Sequence, residues 1–231
     1  MKVFGWVYVA LVCIGVAWAL STAVYAEEVP TWKGFYLQGQ AGSSVGSHDL
    51  FYGNDFFDFA IDIYSIPLQG DIQAFGVGYL FPLGKSGFYI GPKTMARFGE
   101  VSGSQSWSIL HNALGARVDV SSQTIYTLGV QVGYAFNSNW LLTVDGGIAA
   151  ADTTLCGQAH ILWVKEQECV EGFAIGPYAG LGVQRSLGHG WALGGEMEFF
   201  HFEGAEDFGY NGVLQATINQ TSISVTLTKR F

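Results

Sequence analysis

The histidines of this 231-residue sequence offer little for catalysis because they lack partners at a suitable spacing. Glu203 lies two residues from His201 and could orient it as a general base, but no serine nucleophile stands two residues away. The others lie in predicted loops or turns without a catalytic partner: His48, His111, His160 and His189. We therefore expect no catalytic residues and no enzymatic activity.

The cysteines suggest a structural role. Cys13 lies in an apolar run near the start, which leaves Cys156 and Cys169 in the rest of the chain. An even pair in an exported chain predicts one disulfide. Metal binding is the weaker alternative, because no Cys-x-x-Cys or His-x-x-x-His spacing accompanies the pair and His160 alone is not a site. We expect no metal and no cofactor, and no glycine-rich phosphate loop precedes a helix.

The first 26 residues have the layout of a secretory signal peptide. Lys2 supplies a positive charge, an apolar run follows from Val3 to Leu20, and Val24-Tyr25-Ala26 forms a cleavage site. The run is long enough to be a retained transmembrane helix, but the acidic pair after Ala26 favours cleavage. We predict a signal peptide over 1–26, cut between Ala26 and Glu27, and one domain over 27–231.

The composition is unusual for a soluble domain. Only 13% of the residues are charged, against about 25% in typical soluble proteins, while 15% are aromatic and 32 are glycine. Beyond residue 26 no run of about 18 apolar residues could form a transmembrane helix. A closed β-barrel is the other structure that pairs all its backbone groups in lipid. The net charge of −9 argues against nucleic-acid binding.

Eight segments of alternating side chains predict the barrel strands, near 33–44, 71–81, 88–99, 123–136, 140–151, 173–187, 191–202 and 216–231. In 123–136, Tyr126 and Leu128 fall on a lipid-facing side, and Gln123 and Gln131 fall on the other. A soluble sandwich or lipocalin-like barrel would bury its apolar face, yet here the smaller face carries glycines that would make a poor core. The predicted fold class is all-β, an eight-stranded antiparallel up-and-down transmembrane barrel.

The gaps between these segments predict the topology. Long gaps at 45–70, 100–122, 152–172 and 203–215 alternate with short ones at 82–87, 137–139 and 188–190. Outer-membrane barrels have short periplasmic turns and longer external loops. The long gaps hold thirteen acidic residues and two basic ones, so we predict acidic loops at the cell surface. In the first, apolar residues alternate over 57–64, which suggests a hairpin above the membrane, either packed on the next loop or open to a partner.

Six charged residues point into the predicted barrel, three of each sign: Lys93, Arg97, Asp145, Glu196, Glu198 and Arg230. An isolated buried charge is costly, so these side chains are expected to pair. Eight strands leave an interior that side chains can just fill. The charges therefore predict a plugged lumen, and a gated narrow pore is the alternative.

Two short stretches carry a family resemblance. Trp32-Lys33-Gly34-Phe35-Tyr36 opens a segment that resembles the W-x-G-F-Y start of small porin-like outer-membrane proteins. Phe231, with apolar residues at 223, 225 and 227, is similar to the C-terminal signal read by the barrel-assembly machinery, although Lys229 departs from that pattern. The chain thus resembles the OmpA-type eight-stranded barrels. This implies residence in the outer membrane of a Gram-negative bacterium, and it brings no catalytic residues.

Three functions remain open from the sequence. The first is a structural or surface-interaction protein with acidic external loops, and the second is a narrow porin-like channel for small solutes. The third is a lipid-modifying enzyme. The expected partners are outer-membrane lipid and lipopolysaccharide, the barrel-assembly machinery, and a host or surface ligand at the external loops.

Cleavage of the precursor can be tested directly. Mass spectrometry of the protein from outer membranes is expected to show a chain that starts at Glu27, because Ala26 ends the small-residue cleavage motif. A chain that starts at Met1, or one lipidated on Cys13, would contradict this prediction.

Overall fold

The computed structural model describes residues 32–54, 59–109, 114–161, 164–208 and 212–231, with side chains for 32–49, 65–106, 117–158, 169–203 and 217–231. The predicted cleavage site at Ala26 and Glu27 lies outside the described residues. The strands are β1 Gly34–Asn54, β2 Phe59–Pro82, β3 Phe88–Ile109, β4 Leu114–Asn137, β5 Trp140–Ile161, β6 Val164–Gly188, β7 Trp191–Phe208 and β8 Gly212–Arg230.

The eight strands pair antiparallel in chain order, and β8 returns to β1, so the sheet closes into a barrel. The predicted fold class is confirmed. Within the described ranges, no helix has the length and apolar character needed to cross a membrane.

The outer wall of the barrel is apolar and the inner wall is mixed. Leu128 is 67% exposed and Ile148 is 62% exposed, whereas Gln131 and Thr143 on the same strands are buried. Alternation along each strand therefore separates a lipid-facing surface from the lumen, as predicted. We call the outward apolar surface the apolar band; it ends near Phe98 on β3 and Tyr126 on β4.

The short turns lie where the sequence predicts them, and the strand ends beside them agree within one residue. Gly84 and Gly87 have φ angles of 67° and 78°, which glycine adopts without strain. The Asn137 side-chain oxygen accepts hydrogen bonds from the backbone N–H groups of Asn139 and Trp140, at 2.9 and 3.0 Å. We call this end of the barrel periplasmic and the opposite end external.

The external ends of the strands were predicted too short. Most of each predicted long loop is strand: pairing continues to Asn54↔Phe59, Ile109↔Leu114, Ile161↔Val164 and Phe208↔Gly212. The prediction relied on the alternation of apolar, lipid-facing side chains, and this pattern ends at the membrane surface. Backbone hydrogen bonding between the strands continues beyond that surface. Of the hairpin predicted above the membrane around 57–64, residues 59–64 form the external end of β2 and pair with β1, whereas 57 and 58 lie outside the described residues.

Two seams of the wall stop early. The last β2–β3 pair is Gln69↔Ser102, and the last β6–β7 pair is Ile175↔Glu203. Pro67 lies two residues beyond the end of the first seam, and Pro177 lies in the gap between the last two pairs of the second. Proline has no N–H to give to a strand ladder. In the described residues, the external part of the barrel thus consists of two four-stranded sheets, β7-β8-β1-β2 and β3-β4-β5-β6.

One predicted side-chain orientation, that of Gln123, is wrong because β4 contains a β-bulge. Gln123 was expected to face the lumen, but it is exposed. The β4–β5 register shifts between Ser122 and Ile125, both of which are buried. The extra residue reverses the alternation, which the sequence pattern did not reveal.

Cys156 and Cys169 form the disulfide. Both residues fall in the predicted long gap 152–172, but they lie directly opposite each other on β5 and β6. The bridge therefore reinforces a paired hairpin above the membrane. Strand pairing continues beyond it to Ile161↔Val164.

Removal of the bridge is expected to loosen this hairpin without unfolding the barrel. A Cys156→Ser/Cys169→Ser variant should become more sensitive to limited proteolysis near 157–168, because a bridge with a separation of 13 residues is worth about 3 kcal/mol in the chain-entropy account. The parent treated with a thiol reductant is the control. Loss of the SDS-resistant folded form would show instead that the barrel itself depends on the bridge.

Candidate functional site

The lumen begins at the periplasmic end with an apolar layer. Trp32, Tyr36, Leu80, Leu141 and Ala192 are buried there and pack together. We call these five residues the periplasmic layer. It closes the barrel at the end that bears the short turns.

The sequence motif of the opening segment builds this layer. Trp32 is 1% exposed, and the hydroxyl of Tyr36 donates a hydrogen bond to Gln131 Oε1 at 2.9 Å. Gly34 has a φ of 118°, and a side chain there would meet the carbonyl oxygen of Phe231 at 2.7 Å. Glycine at this position thus lets the end of β8 close against the start of β1.

Above the periplasmic layer lies a charged layer in which five of the six predicted luminal charges meet. Lys93 Nζ is 3.3 Å from Asp145 Oδ1 and also contacts Glu196. Arg97 contacts Glu198. All five side chains are at most 5% exposed, so these pairs lie in the closed interior. We call this group the charged layer.

Glu196 is the most extensively hydrogen-bonded member of the charged layer. Its Oε2 accepts from the side-chain amides of Gln38, at 2.9 Å, and Gln40, at 2.7 Å. Its Oε1 accepts from Lys93. Donors from β1 and β3 therefore fix a carboxylate that belongs to β7, and the layer holds distant strands together across the lumen.

Glycines make room for large side chains in and around the charged layer. Lys93 is flanked across its two seams by Gly78 and Gly129, where a side chain would meet Tyr36 and Tyr178 respectively. Gly180 is the cross-strand partner of both Asp145 and Glu198. A side chain at Gly180 would meet Asp145 Oδ1 at 2.8 Å. A charge on one strand opposite a glycine on the next is therefore a sequence signal for this layer.

Arg230 does not join the charged layer. Its guanidinium lies 3.6 Å from the centre of the Trp32 ring and donates to Gln184 Oε1 at 3.1 Å. The prediction of one network of six charges therefore needs correction. Arg230 is the last residue of β8, too close to the periplasmic mouth to reach the carboxylates, and the Trp32 ring face attracts its charge.

Three carboxylates then face two cations. Oxygens of Asp145, Glu196 and Glu198 lie within 4.8 Å of one another, a spacing that a metal ion could bridge. Lys93 and Arg97 already contact these oxygens. The group therefore fits an internal ion-pair layer.

A second apolar layer fills the external half of the lumen. Thirteen buried residues form it: Ile66, Leu68, Ile72, Val101, Val120, Ile125, Ala149, Ala151, Ala174, Tyr178, Phe200, Phe202 and Ile218. The Phe200 ring lies 4.8 Å from the Arg97 guanidinium and so joins this external layer to the charged layer. The sequence did not predict this layer, because several of its residues lie in the long gaps at 45–70 and 100–122 that were assigned to loops.

A family model described as the outer membrane protein beta-barrel domain matches residues 14–231. The chain belongs to this family. It therefore resides in the outer membrane of a Gram-negative bacterium. No curated protein sequence matches it detectably.

Solved structures are similar to this family member at very low sequence identity. OprG of Pseudomonas aeruginosa is 7% identical, with 89% of this chain and 100% of that one covered and a TM-score of 0.53. OmpT, the outer membrane protease of Escherichia coli, is 6% identical over 88% and 100%, with a TM-score of 0.49. Ail of Yersinia pestis, solved with the heparin analogue sucrose octasulfate, is 9% identical over 80% and 98%, with a TM-score of 0.30.

The C-terminal residues of this family member lie on the outer wall. Phe231 is 70% exposed, its ring lies 6.0 Å from that of Phe35, and its backbone N–H donates to the Phe35 carbonyl at 3.0 Å. Lys229, which departs from the assembly-signal pattern, lies 5.2 Å from the Trp191 ring centre and donates to the His189 carbonyl at 2.6 Å. The lysine thus holds the last periplasmic turn.

His201 lies on the outer wall at the external edge of the apolar band. Its Nδ1 is 2.7 Å from Asn219 Oδ1 and its Nε2 is 3.1 Å from Glu203 Oε1. The hydrogen bond to Asn219, and then that to Glu203, raises the pKa of His201. An oxygen lies beside each ring nitrogen, so the protonated ring can donate a hydrogen bond from both nitrogens. This arrangement favours the protonated form, whereas a general base needs an unprotonated nitrogen that can accept a proton.

His48 is buried at the external end, beyond the apolar band. It pairs in register with Ile66 and Ile218 of the external layer, and its Nδ1 has no hydrogen-bond partner among the described residues. Burial lowers the pKa of His48 from its usual 6.5 to about 4, against a smaller opposing effect of Asp49. The imidazole is therefore neutral at pH 7 in the folded protein.

Acid is expected to weaken the external layer through His48. Between about pH 6.5 and 4 the unfolded chain takes up a proton that the folded barrel does not, so stability falls as the pH falls, by roughly 3 kcal/mol in all. Denaturant unfolding of the parent and of His48→Gln at several pH values measures this. Glutamine does not titrate, so the variant should lose less stability than the parent. Equal pH dependence in both would exclude His48 as the cause.

Proposed function

We propose that this family member is a non-conducting outer-membrane barrel that carries its external hairpins as an interaction surface. The observation that supports the proposal best is the filling of the lumen by three successive layers. The two apolar layers lie on either side of the charged layer, so an ion would have to cross both of them and separate the buried pairs.

The external half of the barrel suits this role. Its strands continue well beyond the apolar band, so they form paired hairpins rather than mobile loops. Exposed carboxylates stand just beyond the band on strands around the barrel, among them Asp71, Glu100, Asp152 and Glu171. Such a surface disfavours polyanionic partners and accepts cationic or uncharged ones.

The narrow-channel alternative requires the layers to move. Opening would separate Lys93 from two carboxylates and displace Trp32 at the periplasmic end, each of which costs free energy. A lipid-modifying enzyme would require a nucleophile near His201, whose hydrogen-bond partners are Asn219 and Glu203. We expect no enzymatic activity.

The biogenesis of this barrel is part of the proposal. We infer that residues 1–26 direct export and are removed before Glu27. The exposed ring of Phe231 and the outward side chains at 223, 225 and 227 offer a strand end that the barrel-assembly machinery could read. Phospholipid and lipopolysaccharide would then surround the apolar band.

Planar-bilayer recording of the purified mature protein tests the sealed lumen. The parent is expected to show no discrete current steps. Lys93→Ala should leave Asp145 and Glu196 without their shared cation, admit water and cations, and lower the stability of the barrel by about 3–5 kcal/mol.

Two control variants separate charge from volume. Lys93→Met keeps most of the side-chain volume and removes the charge, so it should destabilise the barrel yet conduct less than Lys93→Ala. Lys33→Ala changes an exposed lysine and should behave like the parent. A parent that already conducts in nanosiemens steps, or a Lys93→Ala variant of unchanged stability, would refute the proposal.

A further inference from the structure

A cavity of about 660 Å³ lies on the external part of the barrel, where β2 separates from β3. Its lining comes from four neighbouring strands, β2 to β5. The cavity does not belong to the lumen, because the polar residues that line it lie on the outward face of their strands. Its volume falls in the range of small-molecule sites in proteins.

Breaks in regular pairing explain why a concave site forms on a convex wall. The β2–β3 seam ends at Gln69↔Ser102, next to Pro67. The β3–β4 register shifts between Phe98 and Val101, and the β4–β5 register shifts between Ser122 and Ile125. Bulges bend strands, and these irregularities all lie at the foot of the cavity, just beyond the apolar band.

Hydroxyl groups make up half of the polar side chains in the lining. They belong to Ser102, Ser104, Ser121 and Thr154, each of which is partly or fully exposed. A hydroxyl both donates and accepts hydrogen bonds, so a row of them matches a ligand that itself carries many hydroxyls. Pro67 and Cys156 add small apolar surfaces against which the C–H face of a sugar ring could pack.

The charges in the cavity further restrict the chemical class of ligand that it can bind. Asp119 Oδ1 accepts a hydrogen bond from Arg117 Nε at 2.9 Å and lies 2.7 Å from Nη2 in an ion pair, so these two charges balance each other. Glu100 remains as an exposed carboxylate. The net charge of the lining is thus negative, which opposes sulfated or phosphorylated ligands, while a carboxylate and an arginine bind sugar hydroxyls well.

We propose that this cavity is a binding site for an uncharged saccharide. The proposal deepens the interaction role given above and rests on it. Because the cavity lies just beyond the apolar band, two sources of saccharide can reach it. One is the uncharged hexose region of the lipopolysaccharide core in the same membrane, and the other is a glycan on a foreign surface.

Saturation-transfer NMR and calorimetry can test the site on the mature protein in nanodiscs that contain only phospholipid. The probes are an N-acetyllactosamine oligomer, a neutral hexose fragment of the core oligosaccharide of the producing bacterium, and a heparin octasaccharide as polyanion. We expect saturable binding of an uncharged sugar unit and none of heparin. Binding of the core fragment alone assigns the site to the bacterium's own lipid, and binding of the lactosamine alone assigns it to a foreign glycan.

Matched variants locate the binding. Ser104→Ala/Thr154→Val removes two hydroxyls of the cavity and should weaken binding about tenfold, the effect of losing one or two hydrogen bonds. Thr217→Val/Thr221→Val removes two hydroxyls from β8, a strand that contributes no residue to the cavity lining, and should leave affinity unchanged. The SDS-resistant folded form of each variant checks its fold.

Three results would overturn the saccharide site: no transfer to any probe, binding of heparin alone, or equal affinity in both double variants. None of them bears on conductance. A parent protein that neither conducts ions nor binds any of the probes would refute this inference but would still support the sealed lumen. A conducting parent would instead remove the proposed function.

Discussion

The return of β8 to β1 is the constraint on which the rest of this structure depends. In lipid every backbone N–H and C=O must find a partner within the protein, and only closure removes the two sheet edges. Gly34 makes closure possible, because a side chain there would collide with the carbonyl of Phe231. Closure with eight strands then fixes a lumen so narrow that side chains must fill it.

Filling that lumen produced a layered interior. Charges occupy the middle, where cross-strand glycines at Gly78, Gly129 and Gly180 leave space for long side chains. Apolar residues occupy both ends and exclude water from the pairs. Buried ion pairs contribute little net stability by themselves. Their value here is to fix strands β1, β3, β5 and β7 against one another through Lys93, Glu196 and their partners.

The external half of the barrel lies in water, so a different constraint acts on its backbone. Beyond the apolar band water can satisfy backbone groups, so the wall no longer needs to be closed. The β2–β3 seam ends there beside Pro67, the β6–β7 seam ends at Ile175 on the edge of the band, and the barrel continues as two sheets. The same freedom allows the bulges that shape the cavity between β2 and β5. The function we propose is therefore concentrated where the membrane stops constraining the chain.

The sequence by itself determined the class of fold, the strand count, the periplasmic turns and which of Lys93, Arg97, Asp145, Glu196 and Glu198 face inward. These follow from a period of two and from turn chemistry, both of which are local. Only the tertiary structure decided the external strand ends, the separation of Arg230 from the other charges, and the identity of the external layer. Pairing beyond the lipid leaves no hydrophobic pattern, and depth in a barrel depends on stagger between strands. The bulge that turns Gln123 outward is likewise a matter of register with β5, which no single strand encodes.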